Sequence, residues 1–217
     1  MSDIQRVLSL PCFYPIIDVG LLALRVPPEK LTSAVCDFAT ELAAGGATLI
    51  QYRAKRLAPL EIVSHSRELR RVLGPVVTLI MNDRADLCVA SGFDGVHVGQ
   101  NDLSAEGARQ VVGKARWVGV STHTLDQVEV ANRAPVDYIA LGPIHQTLTK
   151  ENPDPLVGLE GIRAARLLTG KPLVAIGGIT RANAREVLAA GANTVAVIGD
   201  LLLNPRCSAE EFIRILV

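Results

Sequence analysis

The sequence predicts a single-domain (β/α)₈ barrel, a TIM barrel of the α/β class, spanning residues 1–217. Short apolar stretches alternate with longer amphipathic ones along the whole chain, and the connections between them are short. Aliphatic residues dominate and only 4% of residues are aromatic, which favours many buried strands over an aromatic-packed sandwich. Eight strands, each followed by a helix, fit a barrel of this length, whereas the alternative, a doubly wound open sheet, usually has fewer strands.

The predicted strands are short runs rich in Val, Ile and Leu. They cover residues 13–18, 48–53, 76–82, 94–99, 117–123, 136–142, 172–178 and 194–200. Similar phrases, such as SGFDGVHV and AGANTVAVI, recur where a helix ends and a strand begins, and we interpret them as a weak internal repeat of the βα unit. If the strands are parallel, their carboxyl ends meet at one rim of the barrel.

The stretches between the strands have apolar residues at three- and four-residue spacing, which predicts helices. Examples cover residues 29–45, 60–74, 159–170 and 181–191, and each ends in Gly, as a helix often does. A last helix is predicted over 208–217, with Ser208 as N-cap and Glu211 three residues later. Residues 145–158 contain two prolines and predict a loop after the sixth strand, long enough to act as a lid.

Composition excludes several classes of function. Lys plus Arg equals Asp plus Glu, 22 against 22, so the overall charge shows no footprint for nucleic acid or an anionic membrane. The four cysteines lie in no CxxC spacing, which argues against zinc or a disulfide framework; Cys12, Cys36 and Cys88 are expected to be buried and Cys207 exposed. Without a signal peptide or a long apolar run, we expect a cytoplasmic protein, with a homo-oligomer as one option.

Polar residues cluster at the carboxyl ends of four predicted strands. After the second strand, Gln51, Arg53 and Lys55 alternate, so an extended chain projects all three to one side and Tyr52 and Ala54 to the other. An amide and two cations facing one cavity suit an anion and a heterocycle. The alternative is an ordinary solvated strand end.

Two carboxylates follow the third and fourth strands. Asp83 stands between Asn82 and Arg84, and Asp102 lies just past the fourth strand. Mg²⁺ prefers oxygen ligands and is commonly held by one or two carboxylates, waters and substrate phosphate oxygens. The alternative is that each is a helix N-cap or, for Asp102, a turn residue. Together with the nearby cations, the pair favours a metal-bound polyphosphate.

Hydroxyl, histidine and glycine residues complete the pattern. Ser121 ends the fifth strand, and its hydroxyl can donate to a phosphate oxygen; His123 beside it has no evident orienting partner in the sequence, and it is interpreted as a supporting group. We interpret His65 and His97 as structural and leave His145 unassigned.

Turns at Gly177-Gly178 and Ile198-Gly199 follow strands seven and eight, where barrels recurrently bind phosphate, although glycine also simply permits tight turns. Asp200 would repel a phosphate there unless its carboxylate points away.

These motifs occur together, in order, over nearly the whole chain. The strings QYRAK, NDR, HVGQNDL, GVSTHT, TLTK, VGLEGIR, AIGGI and AVIG give a sequence that resembles thiamine phosphate synthases. The resemblance implies a transferase that couples 4-amino-2-methyl-5-hydroxymethylpyrimidine diphosphate to 4-methyl-5-(2-hydroxyethyl)thiazole phosphate, releasing diphosphate. It implies Mg²⁺ as cofactor, these two small molecules as partners, and no residue acting as nucleophile or acid/base catalyst.

The resemblance also implies a role for each motif residue. Asp83 and Asp102 would hold Mg²⁺, and Gln51 would contact the pyrimidine. Thr147 and Thr149 would belong to the closing loop, while Gly178, Ile198 and Gly199 would bind the thiazole phosphate. The oxygens of the diphosphate would be contacted by Arg53, Lys55, Asn82, Ser121 and Lys150. This chain departs from the family pattern at Ala54, His145, Gln146, Gly199 and Asp200.

Two other functions remain alternatives. A thiazole tautomerase resembles the synthases but needs no site for a metal-bound diphosphate, so the presence of Asp83, Asp102, Arg53 and Lys150 argues against it. A non-catalytic sensor of phosphate ligands on the same fold would not need the two carboxylates.

Overall fold

The computed structural model describes residues 10–146 and 155–217 and forms a closed barrel of parallel strands in sequence order. The predicted fold is confirmed, and each strand lies within the range predicted for it. The strands are β1 (Phe13–Asp18), β2 (Leu49–Arg53), β3 (Thr78–Asn82), β4 (Gly95–Val98), β5 (Trp117–Thr122), β6 (Tyr138–Leu141), β7 (Leu173–Ile176) and β8 (Thr194–Val197).

Helices cover the outside of the barrel. They are α1 (Val19–Ala23), α2 (Leu31–Ala44), α3 (Pro59–Leu73), α4 (Ala85–Ala90), α5 (Ala105–Val112), α6 (Leu125–Arg133), α7 (Gly158–Leu168), α8 (Ala184–Ala189) and α9 (Pro205–Leu216), with 3₁₀ turns at Pro28–Lys30 and Gly199–Leu201. Several begin at a local cap. Ser104 accepts a hydrogen bond from the N–H of Gly107 at the start of α5, and Thr124 accepts one from Gln127 at the start of α6.

The core has two layers because strand side chains alternate between the two faces of the sheet. Phe13 and Ile17 of β1 pack outwards against the helices, whereas Tyr14 and Ile16 point into the barrel. Side chains from other strands fill the interior as well. The inner layer comprises Tyr14, Ile16, Leu49, Ile80, Tyr138, Ala140, Val174 and Ala196.

The strand register brings polar residues of neighbouring strands side by side at the carboxyl rim. Asn82 of β3 pairs with His97 of β4, and His97 pairs with Gly119 of β5. On the other side, Asp18 of β1 pairs with Arg53 of β2. Residues that are far apart in sequence therefore reach one cavity.

Two predictions need correction. Helix α9 begins at Pro205, with Asn204 in the N-cap position, because proline is favoured at the first helical position. Ser208 is therefore not an N-cap: it is buried inside the helix and donates to the carbonyl oxygen of Asp200 at 3.0 Å.

Cys36 and Cys88 are buried and Cys207 is exposed as predicted, but Cys12 is only partly buried. In the part of the chain that the structure describes, no helix is long and apolar enough to span a membrane.

Candidate active site

A cavity of about 940 Å³ opens at the carboxyl rim of the barrel. The predicted site residues that the structure describes all line it. They are Gln51, Arg53, Lys55, Asn82, Asp83, Asp102, Ser121, Gly178, Ile198 and Gly199. Thr147, Thr149 and Lys150 lie outside the described residues, although Gln146 and Pro155 on either side of them also line the cavity.

The end of β2 presents its side chains as predicted. Gln51, Arg53 and Lys55 line the cavity, whereas Tyr52 points outwards and its hydroxyl lies 3.0 Å from Nδ1 of His65 on α3. This contact agrees with the structural role expected for His65. Strand parity was therefore enough to decide which of these residues face the cavity.

Arg53 at the end of β2 and Lys55 just after it each have an acidic partner. A guanidinium nitrogen of Arg53 is hydrogen-bonded to the carboxylate of Asp18, which is only 6% exposed and also accepts from the N–H of Leu21. The ammonium of Lys55 lies 3.2 Å from Oδ2 of Asp83. Sequence reasoning missed Asp18, although its position at the carboxyl end of β1 is the signal that selected the other residues.

Asp83 has a positive φ of 62°, which is uncommon for a residue other than glycine. The N–H of Arg84 donates to the carbonyl oxygen of Asn82 at 2.7 Å, which closes a three-residue turn around Asp83. Its own N–H donates to the carbonyl oxygen of His97 at 2.7 Å. Asp83 is therefore not an N-cap: Arg84 has that position for α4, and the turn directs Asp83 into the cavity.

Asp83 and Asp102 form a pair of neighbouring carboxylates. Burial and the hydrogen bond with Asp102 raise the pKa of the Asp83 carboxyl, and Lys55 only partly opposes this. Asp102 accepts from the N–H of Gly99 at 2.8 Å, so it is the predicted turn residue rather than the cap of α5. A divalent cation would relieve the repulsion within such a pair, and the donors suit Mg²⁺. The described residues contain no group of three His, Cys, Asp or Glu side chains that could hold a metal ion.

Ser121 lies between two side chains of the preceding strand and loop. Its backbone carbonyl oxygen accepts from Nε2 of Gln100 at 2.6 Å, and its hydroxyl lies 2.8 Å from Nε2 of His97. His97 lies inside β4, as predicted, but its ring also lines the cavity. The sequence interpretation of His97 as merely structural is therefore incomplete.

The remaining histidines of the rim are His123 and His145. The Nδ1 atom of His123 donates to the carbonyl oxygen of Gly142 at 2.6 Å, so His123 does have the orienting partner that the sequence did not reveal. The backbone N–H of His123 donates to Oε1 of Gln127 at 2.7 Å. His145 lies 3.7 Å from the carboxylate of Glu186 on α8.

The two glycine turns after β7 and β8 lie at the same cavity. Gly177 and Gly178 have φ values of 101° and 61°, and a Cβ on Gly178 would lie 2.3 Å from the carbonyl oxygen of Gln146. Asp200, beside Gly199, is held by Arg181 through Nε at 3.0 Å and Nη2 at 3.2 Å. Its charge is therefore compensated by a residue that sequence reasoning did not select.

Comparison with known proteins agrees with this geometry. Residues 23–201 match the family model described as thiamine monophosphate synthase. The chain is 57% identical over 209 residues to the thiamine-phosphate synthase of Koribacter versatilis, covering 96% of this chain and 97% of that one. It is 39% identical over 186 residues to that of Chloroflexus aurantiacus, covering 85% and 82%.

A solved structure also points to the thiamine-phosphate synthases. The thiamine phosphate pyrophosphorylase of Pyrococcus furiosus superposes with a TM-score of 0.80 at 30% identity, with 94% of each chain covered. Sequence and fold agree over nearly the full length. The chain thus belongs to the thiamine monophosphate synthase family and is a transferase of thiamine biosynthesis.

Proposed function

We propose that this protein couples 4-amino-2-methyl-5-hydroxymethylpyrimidine diphosphate to 4-methyl-5-(2-hydroxyethyl)thiazole phosphate in a Mg²⁺-dependent reaction. The products are thiamine phosphate and diphosphate. The observation that carries the proposal is the convergence of two carboxylates, Asp83 and Asp102, with two cations, Arg53 and Lys55, at one end of the cavity.

The diphosphate fits this charged end. Arg53, Lys55, Asn82, Ser121 and Lys150 would contact its oxygens, and each charge-assisted hydrogen bond contributes roughly 1.5–3 kcal/mol. Asp83 and Asp102 would hold Mg²⁺, which would neutralise charge that develops on the leaving diphosphate. Lys55 now pairs with Asp83 and would turn towards the diphosphate when the carboxylate binds the metal.

The pyrimidine and the thiazole phosphate fit the rest of the cavity. Gln51 is 2% exposed, and its amide can read the edge of an aminopyrimidine. Backbone N–H groups at Gly178, Ile198 and Gly199 would bind the thiazole phosphate, because glycine lets an anion approach the chain closely. Thr147 and Thr149 would close over both ligands.

The reaction then needs positioning and charge neutralisation rather than a protein nucleophile. The bond between the pyrimidine methylene carbon and the diphosphate oxygen breaks, and its electron pair leaves with the diphosphate. The amino group of the ring stabilises the cation that remains. The lone pair of the thiazole nitrogen forms the new carbon–nitrogen bond, and exclusion of water by the bound ligands would protect the cation.

The test is a coupling assay on the purified protein with both substrates, with Mg²⁺ or with EDTA, in which thiamine phosphate is detected. We expect product only with Mg²⁺. Asp83→Ala, Asp102→Ala and Lys150→Ala should suppress turnover. The control is Asp86→Ala, because the Asp86 carboxylate is 59% exposed, pairs with Arg84 and does not line the cavity.

A folded, Mg²⁺-supplied sample that makes no product would contradict the proposal. Conversion of the thiazole phosphate alone would then favour the tautomerase. Near-normal turnover in all three cavity variants would contradict the assignment of the metal and diphosphate site, even if the wild type is active.

A further inference from the structure

A chain of hydrogen bonds connects residues that line the cavity through one buried tyrosine. Nε2 of Gln51 donates to the Tyr14 hydroxyl at 3.0 Å, and that hydroxyl lies 3.1 Å from the Tyr138 hydroxyl. The Tyr138 hydroxyl lies 3.0 Å from Nδ1 of His97, whose Nε2 lies 2.8 Å from Oγ of Ser121. The chain thus links Gln51 of β2 with Ser121 of β5.

The structure holds this chain tightly. Tyr138 is fully buried and does not line the cavity, and its ring stacks on the His97 ring with a centroid distance of 5.5 Å. The ring lies directly over Gly119, where a Cβ would come within 2.0 Å of a ring carbon. Only glycine at this position leaves room for the phenol.

Both phenols keep their protons at every physiological pH. Burial raises the pKa of Tyr14 and of Tyr138, and no cation that would favour a phenolate is among the causes of either shift. Each hydroxyl therefore has one hydrogen to give. With a single proton on the His97 ring, the chain can run in two directions.

In the first direction, Gln51 donates to Tyr14, Tyr14 to Tyr138, and Tyr138 to Nδ1 of His97. His97 then carries its proton on Nε2 and donates it to Ser121. The Ser121 hydroxyl hydrogen is left for an acceptor in the cavity. In the opposite direction, the Ser121 hydroxyl donates its hydrogen to Nε2 of His97, and the ring proton of His97 lies on Nδ1.

We propose that Tyr14, Tyr138 and His97 are positioning residues that fix this chain in the first direction. The hydroxyl hydrogen of Ser121 then points to the diphosphate, and the carbonyl oxygen of Gln51 is left to accept from the amino group of the pyrimidine. The roles of Ser121 and Gln51 as ligand contacts rest on the proposed function. Two points favour the first direction. Gln51 donates to Tyr14, as this direction requires. An anion in the cavity binds hydrogen-bond donors, and this direction leaves the Ser121 hydroxyl as a donor.

The first test is nitrogen NMR of His97 in the wild-type protein, with the signal assigned through a His97→Gln variant. We expect the tautomer protonated on Nε2, with Nδ1 accepting. A ring protonated on Nδ1, alone or together with Nε2, would overturn the proposal. This readout needs no substrate, so it separates a failure of the hydrogen-bond chain from a failure of the proposed function.

The second test is titration of inorganic diphosphate in the presence of Mg²⁺ into the wild type, Tyr138→Phe and Tyr52→Phe. The two variants are closely matched, because each removes a buried phenol that lies 3.0 Å from Nδ1 of a histidine. Tyr52 faces the outer layer, away from the cavity. We expect Tyr138→Phe to weaken diphosphate binding about five- to tenfold, and Tyr52→Phe to leave it within about twofold.

A double-mutant cycle distinguishes positioning from general destabilisation. In a Ser121→Ala background, Tyr138→Phe should cause no further loss of diphosphate affinity, because the hydroxyl that it orients is gone. The KM for the thiazole phosphate should stay unchanged in all variants. Equal effects of Tyr138→Phe and Tyr52→Phe, or the same loss with and without Ser121, would overturn the proposal. If Tyr138→Phe fails to fold, the His97 tautomer in the wild type still decides.

Discussion

Arg181 binds the carboxylate of Asp200 with both its backbone and its side chain. The backbone N–H and Nε each lie 3.0 Å from Oδ2, and Nη2 lies 3.2 Å from Oδ1. Arg181 follows β7 and Asp200 follows β8, so the contact ties together the two glycine turns. The third guanidinium nitrogen, Nη1, donates to the carboxylate of Glu211 on α9. The acidic residue beside the candidate phosphate turns is thereby both neutralised and held in place.

We expect Arg181→Ala to raise the KM for the thiazole phosphate. The variant leaves the Asp200 carboxylate uncompensated beside the anion and loosens the link between the turns. Because both side chains are partly exposed, the effect should be modest, about three- to tenfold. The measurement is steady-state kinetics with the pyrimidine diphosphate at saturation.

The control for this prediction is the double variant Arg181→Ala/Asp200→Asn. If repulsion is the cause, removing the charge of Asp200 should recover most of the lost affinity. A KM that stays high in the double variant would show that the tie between the turns, not the charge, matters.

The fold could be predicted from the sequence because local patterns repeat around the barrel. Each strand is a short apolar run, each helix has a regular apolar face, and eight such units can close a barrel. Residues at the carboxyl ends of strands could be selected as cavity-lining residues for the same reason. The alternation of side chains along β2 also predicted that Gln51 and Arg53 face the cavity and that Tyr52 faces the outer layer.

The contacts that link these residues to one another could not be predicted. Asp18 and Arg53 are 35 positions apart and Tyr14 and Tyr138 are 124 apart, and their contacts exist only because β1 neighbours β2 and the barrel closes. The start of α9 was misplaced because Ser208 offered a capping pattern while Pro205 began the helix earlier. Such pairs depend on register and packing, for which one sequence carries little local signal.

We expect Asp18→Asn to weaken Mg²⁺-dependent binding of inorganic diphosphate about tenfold. Asn retains an acceptor for the N–H of Leu21 but loses the charge that holds the Arg53 guanidinium. A guanidinium without its partner must lose more freedom when it binds an anion. Calorimetric titration measures the affinity, and Arg53→Lys is the comparison, because it removes the forked contact from the other side. Tighter diphosphate binding by Asp18→Asn would show that Asp18 competes for Arg53 instead of orienting it.

We expect Gly178→Ala to disrupt the turn after β7. Its φ of 61° is strained for alanine, at a cost of about 1–2 kcal/mol, and the new Cβ would lie 2.3 Å from the carbonyl oxygen of Gln146. Thermal unfolding should show a lower Tm, and the KM for the thiazole phosphate should rise. The control for stability is Gly199→Ala, because a Cβ there meets nothing within 4 Å. Equal Tm values for the two variants would contradict the steric argument.

We expect Asp83→Asn to lose turnover by at least about a hundredfold while stabilising the ligand-free protein at neutral pH. Burial and Asp102 raise the pKa of Asp83, so its ionisation disfavours the folded state. Protonated Asp83 contributes fully to the free energy of unfolding below the pKa that it has in the unfolded chain. This contribution is lost as the pH rises through its higher pKa in the folded protein. Asn cannot ionise, and it tolerates the positive φ as well as Asp does. The stability gain should therefore be largest near pH 7 and shrink towards pH 4.

Denaturant unfolding at several pH values measures this, with Asp86→Asn as the matched control. The hydrogen bond from Arg84 lowers the pKa of Asp86, so its ionised form stabilises the fold above the unfolded pKa and loses that effect as the pH falls. The two substitutions should thus change stability at pH 7 in opposite directions, Asp86→Asn only slightly because that side chain is exposed. Excess Mg²⁺ with inorganic diphosphate should stabilise the wild type but not Asp83→Asn. If Asp83→Asn instead destabilised the ligand-free protein at pH 7, the ion pair with Lys55 would outweigh the repulsion from Asp102, and Asp83 would be an element of stability as well as a metal ligand.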